Sequence, residues 1–214
     1  MNQLPRQHRM KPHIIGIAGP SASGKSELAY RLVAHLPGTS IVSLDSYYRE
    51  LAGLSFDERT HFNFDRPDAL EWELLHEQLL GLAHGEPIEE PVYSFASYSR
   101  LPERKHVEAS EFIVVEGLFV FYWDALRAML DTKVFVNTRD EVCFARRLER
   151  DVAERGRTPE SVYEQYEKTV RPGRELYVMP TIRYADVVVS GEEALVKSTN
   201  AVLDALPLAR AAAG

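Results

Sequence analysis

Five short apolar runs recur along the chain and alternate with segments of helical periodicity. The runs cover residues 13–18, 40–44, 112–115, 133–136 and 186–189. Their apolar, largely β-branched side chains follow one another without regular polar alternation, which is typical of parallel strands buried on both faces. The pattern predicts an α/β fold, a doubly wound five-stranded parallel sheet with helices on both faces.

Helical periodicity and end signals place helices between these strands. Apolar residues spaced three or four apart after the first run predict a helix that ends before Pro37. Asp68 is a predicted N-cap for a helix over residues 69–84, and Asp140 for a helix over residues 140–155. Strands and helices therefore alternate, as a parallel sheet requires.

Two connections are too long for plain turns. Residues 46–67 and residues 87–110 are rich in aromatic and charged side chains, and loops of this length in a compact domain are usually functional. We expect one domain over residues 13–206, with flexible ends at residues 1–12 and 207–214.

Charge and cysteine content exclude several classes of function. The 214 residues include 25 Lys or Arg and 32 Asp or Glu, a formal net charge of −7. This charge argues against duplex nucleic acid as the main partner, because no net basic field releases counterions. The single Cys143 excludes an intramolecular disulfide, and no apolar stretch reaches the roughly 18 residues of a membrane span. We expect a cytoplasmic protein that binds neither nucleic acid nor membrane.

The most specific motif lies between the first predicted strand and the first predicted helix. It reads G-x-x-x-x-G-K-S and consists of Gly19, Pro20, Ser21, Ala22, Ser23, Gly24, Lys25 and Ser26. In such a P-loop the backbone N–H groups bind phosphates, the lysine reaches the β- and γ-phosphates, and the serine hydroxyl ligates Mg²⁺. A Gly-rich turn without a ligand is the alternative.

The remaining sequence distinguishes three classes of P-loop protein. A GTPase would carry Asn-Lys-x-Asp after a late strand, but residues 137–140 have Thr138 in place of the lysine. A remodelling ATPase usually ends its Walker B strand with Asp, where this chain has Glu116. A small-metabolite kinase, which needs an acceptor pocket and a base near the acceptor hydroxyl, is favoured.

Two carboxylates follow predicted strands at the carboxyl edge of the sheet, where ligands bind in open α/β folds. Asp45 ends the second strand and is placed to act as a base, with a plain turn former as the alternative. Glu116 closes the third strand, and its carboxylate suits Mg²⁺ directly or through water. A solvated strand end is the alternative for Glu116.

Five arginines occur within residues 146–157 of a chain that is acidic overall. Arginine stabilises the charge that spreads over a transferring γ-phosphoryl group, so the segment predicts an arginine lid over about residues 146–160. The alternative is a helix face with ion pairs three or four residues apart, which we expect for Arg146.

Short blocks along the chain resemble the uridine-cytidine kinase family in both sequence and order. Besides the P-loop, they cover residues 44–49, 63–69, 91–95, 99–100, 115–117, 154–157, 168–172, 180–181 and 184–186. The resemblance implies transfer of the γ-phosphoryl group of ATP, or of GTP, to the 5′-hydroxyl of a pyrimidine ribonucleoside in pyrimidine salvage. It also implies a P-loop kinase core with a β-hairpin insertion over about residues 87–110, a helical lid, a homotetramer, and feedback inhibition by CTP or UTP.

The resemblance further implies roles for individual residues. Asp45 resembles the catalytic base, with Lys25 beside the phosphates, and Asp65 resembles the carboxylate that holds the ribose hydroxyls. The residues that resemble Mg²⁺ partners are Ser26, Asp45 and Glu116. Those that match nucleoside-pocket positions are Tyr48, Tyr93, Arg147, Arg157 and Gln165, and those that match phosphate-facing lid positions are Arg150 and Arg155.

Three positions depart from the family pattern. Ser94 replaces the usual Asp, Arg66 replaces a frequent His, and Tyr98 replaces a His that reads the base. A histidine serves either base by changing tautomer or protonation. A phenol whose proton is committed to another acceptor can only accept, so it would favour the N4 amino donor of cytosine. We therefore expect cytidine to be preferred over uridine.

Two other functions stay open. A kinase of the same P-loop superfamily that acts on phosphoribulose or pantothenate would lack the combination of residues 63–65 with residues 154–157. A non-catalytic nucleotide-binding regulator is disfavoured because Lys25, Asp45 and Glu116 are all present.

Overall fold

Five parallel strands form the central sheet. They are β1 (His13–Ala18), β2 (Thr39–Ser43), β5 (Phe112–Glu116), β6 (Thr132–Asn137) and β7 (Val187–Ser190), in the spatial order β2-β5-β1-β6-β7. The boundaries of each predicted run differ from those of its strand by at most one residue, which confirms the predicted α/β class. The computed structural model describes residues 11–207, and the ends predicted to be flexible lie outside the described residues over 1–10 and 208–214.

The middle strand, β1, is buried on both faces. Ile14 and Ala18 belong to one apolar cluster, whereas Ile15 and Ile17 belong to a second cluster on the opposite face. Because successive side chains of a strand point to opposite faces, an uninterrupted apolar run supplies both cores at once.

Helices cover both faces of this sheet. Those of the described chain are α1 (Lys25–His35), α2 (Phe56–Thr60), α3 (Trp72–Ala83), α4 (Asp124–Met129), α5 (Asp140–Arg155), α6 (Pro159–Gln165), α7 (Arg171–Gly173) and α8 (Leu195–Ala205). Leu32 of α1 and Val202 of α8 pack in one cluster, and Leu79 of α3 packs in the other. Within residues 11–207, no helix combines the length and apolarity needed to cross a membrane.

The predicted start of α3 is wrong. Asp68 lies in a separate 3-10 turn, Pro67–Ala69, and α3 begins only at Trp72. Between the two, Leu70 is extended and pairs with Tyr48 in an isolated antiparallel bridge. This long-range pairing interrupts the helix that the local sequence predicts.

The predicted N-cap of α5 is also wrong by one residue. Asp140 is the first residue of the helix, and Arg139 occupies the cap position. The Asp140 carboxylate accepts hydrogen bonds from the Tyr166 hydroxyl at 2.7 Å and from Arg171 Nε at 2.9 Å. Distant partners therefore satisfy this carboxylate in place of the first N–H groups of its own helix.

The predicted connection over residues 87–110 contains an antiparallel hairpin, β3 (Ile88–Ser94) and β4 (Ser99–Val107). Glu90 attaches it to the sheet, because its buried carboxylate accepts from the Ser43 backbone N–H at 2.9 Å and from Lys105 Nζ at 2.8 Å. A buried carboxylate with two such donors is well compensated. The turn at residues 95–98 is thereby held near the carboxyl edge of the sheet.

Candidate active site

A cavity of about 520 Å³ opens between the P-loop, the hairpin turn and α5. The predicted site residues that line it are Ser21, Ala22, Gly24, Lys25, Ser26, Asp45, Tyr48, Asp65, Tyr93, Tyr98, Arg147, Arg150, Arg155, Arg157 and Gln165. Gly19, Ser23 and Glu116 are outside this lining. Residues more than a hundred positions apart thus meet around a single space.

The P-loop packs tightly against the end of β6. A Cβ on Gly19 would lie 2.6 Å from the carbonyl oxygen of Val136, and Gly24 has a φ of 97°. Both positions therefore require glycine. The Thr138 hydroxyl donates to the Ser23 carbonyl at 2.9 Å, so the residue found where a GTPase would have lysine helps to hold the loop.

Lys25 and Ser26 line the side of the cavity that suits a metal and phosphates, and Glu116 lies outside the lining in contact with Ser26. The Glu116 carboxylate accepts from the Ser26 hydroxyl at 3.0 Å and from the Ser43 hydroxyl at 2.8 Å. Burial raises the pKa of Glu116, and the positive charge of Lys25 opposes this rise. Lys25 is itself only 8% exposed, with Nζ 3.4 Å from the Pro20 carbonyl oxygen.

These donors fit Mg²⁺. Hydroxyl and carboxylate oxygens are hard ligands, and Mg²⁺ is usually held by one or two carboxylates together with substrate phosphates and water. Within residues 11–207, no group of three or more His, Cys, Asp or Glu side chains could hold a metal ion. Ser26 and Glu116 supply one hydroxyl and one carboxylate as oxygen donors for such an ion.

Asp45 lies in the 3-10 turn Leu44–Tyr47 that follows β2, rather than at the end of the strand as predicted. Its carboxylate lines the cavity and has neither a hydrogen bond nor an ion pair in the described part of the chain. Its negative charge contributes to raising the pKa of Glu116 and that of Asp65. The Asp45 carboxylate therefore lies near both groups and has no protein partner of its own among the described residues.

Aromatic rings form the opposite wall of the cavity. The Tyr48 and Tyr93 centroids are 5.3 Å apart, and Phe64 stacks on Tyr98 at 5.8 Å with an interplanar angle of 22°. Burial raises the pKa of both Tyr48 and Tyr93, so these phenols are neutral. Phe64 and Phe95 also line the cavity but were not predicted as site residues. The sequence signal that could have identified them is their position within two of the blocks that resemble the kinase family, residues 63–69 and 91–95.

Asp65 is buried where this aromatic wall meets the helical residues 166–173 that follow α6. Its carboxylate accepts from the Thr169 hydroxyl at 3.0 Å, and a Cβ on Gly173 would collide with the Asp65 carbonyl oxygen. Burial raises the pKa of Asp65, and the positive charge of Arg147 opposes this rise. Thr169 was not predicted, although it lies in the block 168–172.

Arg147 connects the P-loop with α6. Its Nη1 donates to the Ser21 hydroxyl at 2.9 Å, and its Nη2 donates to Gln165 Oε1 at 2.9 Å. Arg157 donates to the same Gln165 oxygen. One amide oxygen therefore holds two guanidinium groups at the wall of the cavity.

The arginines of α5 that line the cavity, Arg146 among them, differ in their partners. Arg150 and Arg155 line the cavity and form ion pairs with Asp151. Arg146 makes no ion pair within the described residues, and its Nη2 donates instead to the Gly191 carbonyl at 2.9 Å. The ion pair predicted for Arg146 is therefore wrong, because this face of the helix packs on the loop after β7.

Comparisons with known proteins agree with this architecture. Residues 14–195 match the Phosphoribulokinase / Uridine kinase family. The uridine kinase of Chloroflexus aggregans is 45% identical over 185 residues, 86% of this chain and 88% of the relative. The uridine kinase of Lactobacillus helveticus is 43% identical over 182 residues, 84% of this chain and 86% of the relative.

A solved structure shows the same fold at much lower sequence identity. The phosphoribulokinase of Rhodobacter spheroides superposes with a TM-score of 0.63 at 14% identity, over 84% of this chain and 70% of that one. The fold therefore persists where most of the sequence has changed, and the family match covers the P-loop and every strand of the sheet. The chain belongs to the phosphoribulokinase/uridine kinase family.

Proposed function

We propose that the chain transfers the γ-phosphoryl group of ATP or GTP to the 5′-hydroxyl of a pyrimidine ribonucleoside, giving CMP or UMP in pyrimidine salvage. The observation that carries the proposal is a single cavity lined by both a P-loop and an aromatic wall, with the unpaired Asp45 near Glu116 and Asp65. The identity to uridine kinases over most of the chain supports the acceptor class.

Each side of the cavity has a proposed task. Lys25 and the P-loop N–H groups hold the β- and γ-phosphates, and Arg150 and Arg155 face the transferring group. Asp45 takes the proton from the 5′-hydroxyl as the bond to phosphorus forms. A bound Mg²⁺, held by Ser26 and Glu116 with Asp45 nearby, would neutralise phosphate charge.

The nucleoside lies against the aromatic wall in this proposal. The Asp65 carboxylate can accept hydrogen bonds from two vicinal ribose hydroxyls. Flat aromatic and guanidinium groups suit a pyrimidine ring, and the residues proposed for this contact are Tyr48, Tyr93, Tyr98, Arg147, Arg157 and Gln165.

The domain organisation, assembly and regulation are proposed from the family resemblance. The chain forms one kinase domain over residues 13–206, with an insertion over about 87–110 and a lid over about 146–160. In this proposal the protein is a homotetramer in the cytoplasm, and CTP or UTP inhibits it. Sedimentation of the purified protein, with and without CTP, tests the assembly and its response.

A coupled assay with ATP and Mg²⁺ tests the acceptor class. Uridine, cytidine, ribulose 5-phosphate and pantothenate are compared at equal concentrations. Turnover with a nucleoside and none with the other two acceptors is expected. Turnover with ribulose 5-phosphate or pantothenate alone would contradict the proposal, and no turnover at all would favour a nucleotide-binding regulator.

Replacing Asp65 with alanine is expected to raise the KM for the nucleoside at least about tenfold, because a hydrogen bond to a charged group contributes about 1.5–3 kcal/mol. For the same reason, 2′-deoxynucleosides are expected to be poor substrates of the wild type. Steady-state kinetics with ribo- and deoxyribonucleosides measure both effects. Asp68→Ala, which removes an exposed carboxylate three residues away, is the matched control. Equal efficiency of wild type with both sugars would contradict the role of Asp65.

The preference for cytidine stays a prediction. It requires that the proton of the Tyr98 phenol be committed to another acceptor, and among residues 11–207 this hydroxyl has no hydrogen-bond partner. The Tyr93 hydroxyl is buried and also unpartnered, so the two phenols make no hydrogen bond to each other in this structure. Tyr98 is held in place by stacking on Phe64, with a φ of 51° at the hairpin turn.

Replacing Tyr98 with histidine is expected to restore part of the uridine activity and to change cytidine activity little. An unpaired buried acceptor costs about 1–3 kcal/mol, so wild-type kcat/KM for uridine should be lower by about tenfold to a hundredfold. Tyr98→Phe is the control, because it removes the hydroxyl and should bring the two values closer together. Equal wild-type values for the two nucleosides would contradict the preference.

A further inference from the structure

Asp151 is the centre of the arginine cluster on α5. It is completely buried, and its Oδ1 accepts from Nε and Nη2 of Arg150 at 2.9 and 2.8 Å. Nε of Arg155 lies 3.5 Å from the same oxygen. Nε of Arg147 lies 3.4 Å from Oδ2 in an ion pair without a hydrogen bond. One carboxylate therefore faces three guanidinium groups, all of which line the cavity.

The three arginines depend on Asp151 to different degrees. Arg147 has other partners in Ser21 and Gln165. Arg150 has no partner other than Asp151 in the described part of the chain. Arg155 has Asp151 and, on its other side, the Phe95 ring, whose centroid is 4.0 Å from its guanidinium carbon. Loss of the carboxylate would therefore release Arg150 and Arg155 first.

Asp151 also offsets repulsion within the cluster. Burial lowers the pKa of Arg155, and the nearby Arg150 lowers it further, whereas Asp151 raises it. The backbone of Asp151 contributes as well, because its carbonyl accepts from the N–H groups of Gly156 and Arg157 where α5 ends. The same residue thus holds the cluster together and fixes the end of its helix.

We propose that Asp151 is a positioning residue that acts through Arg150 and Arg155, holding their guanidinium groups at the wall of the cavity before the donor binds. This inference rests on the proposed phosphoryl transfer. Asp151 does not line the cavity, and its buried carboxylate keeps two arginines in place that would otherwise repel each other. The phosphate donor then binds to guanidinium groups that are already in position, and these groups need little rearrangement during phosphoryl transfer.

This role separates the effects on kcat and on KM. Asp151→Asn removes one negative charge beside the cavity, so the local potential becomes more positive and the KM for ATP should stay equal or fall. The same change frees Arg150 and Arg155, so kcat should fall about tenfold to a hundredfold, the cost of a misplacement near 1 Å. Replacement of a residue with a purely structural role would lower the melting temperature without separating the effect on kcat from the effect on the KM for ATP.

The test measures kcat, the KM for ATP and the melting temperature of wild type, Asp151→Asn, Asp151→Glu and Glu149→Gln. Glu149 is an exposed carboxylate on α5 that makes no ion pair in the described chain, so it is the matched control. Reduced kcat with an unchanged or lower KM in Asp151→Asn supports the proposal. A kcat within about threefold of wild type, or a KM that rises while kcat is kept, overturns it.

Two further measurements cover the remaining cases. If Asp151→Asn does not fold, Asp151→Glu decides, because it keeps the charge and displaces the carboxylate by one methylene. A reduced kcat in this variant supports positioning, and a wild-type kcat overturns it. The fold loss in kcat of the double variant Arg150→Gln/Asp151→Asn should be smaller than the product of the fold losses of the two single variants, since Asp151 acts through Arg150. A loss equal to that product would contradict the proposed coupling between the two residues.

The failure of the proposed function can be told apart from the failure of this inference. If wild type phosphorylates no nucleoside, the proposed function fails. Calorimetry with Mg²⁺ and AMP-PNP then tests the inference by itself. Equal or tighter binding to Asp151→Asn supports the inference, and binding weakened by more than about tenfold overturns it.

Discussion

Replacing Lys25 with alanine is expected to abolish phosphoryl transfer, with a loss in kcat of at least about a thousandfold. Lys25 is the only lysine that lines the cavity among the described residues, and it is almost fully buried beside Pro20. In the proposed mechanism this charge stabilises the negative charge of the γ-phosphoryl group during transfer. A buried cation exerts this effect with little screening by water.

The measurement is turnover in the coupled assay with ATP, Mg²⁺ and cytidine or uridine. Lys197→Ala is the matched control, because Lys197 is an exposed lysine on α8 whose side chain is 71% accessible. We expect wild-type turnover from this control. Near-normal turnover by Lys25→Ala would show that the P-loop has no catalytic role in this chain.

Replacing Asp45 with asparagine is expected to lower kcat by at least about a hundredfold while both substrates still bind. The change keeps the size of the side chain and removes its ability to take a proton. Because the Asp45 carboxylate has no partner in residues 11–207, no hydrogen bond or ion pair within that part of the chain is broken. The loss should therefore appear in the chemical step.

Single-turnover kinetics and calorimetry with AMP-PNP and nucleoside separate chemistry from binding. Asp57→Asn serves as the control, since this carboxylate is 89% accessible on α2. If kcat survives in Asp45→Asn and only a KM rises, Asp45 is a binding residue. An unchanged kcat and an unchanged KM together would exclude Asp45 from the site.

Several failed predictions share one cause. Asp68 and Arg146 each carry a local signal, for an N-cap and for an ion pair along the helix. Their observed contacts depend on residues far away in the chain, because Leu70 pairs with Tyr48 and Arg146 donates to Gly191. Such contacts are set by packing between elements, and local propensity cannot anticipate them.

The residues missed at the site have a related explanation. The cavity is lined by Phe64 and Phe95, and Thr169 donates a hydrogen bond to Asp65 in its wall. Aromatic residues in a long loop and a threonine in a helical segment also occur at many positions that bind no ligand, so the sequence does not single them out. Asp151 is equally ordinary in sequence, one of three acidic residues among the five arginines of residues 146–157. Its complete burial, and the release of Arg150 and Arg155 that its loss would cause, are visible only when the helix is placed.

The local pattern of the chain was enough to locate the strands and the P-loop. Both are short-range properties, because the sheet needs continuous apolar runs and the phosphate loop needs glycines, lysine and serine at fixed short spacings. The acceptor pocket instead depends on contacts between residues more than a hundred positions apart, such as Arg147 with Ser21 and Thr169 with Asp65. Chain topology and side-chain packing determine those contacts, since each requires elements that the sequence separates to meet at one edge of the sheet.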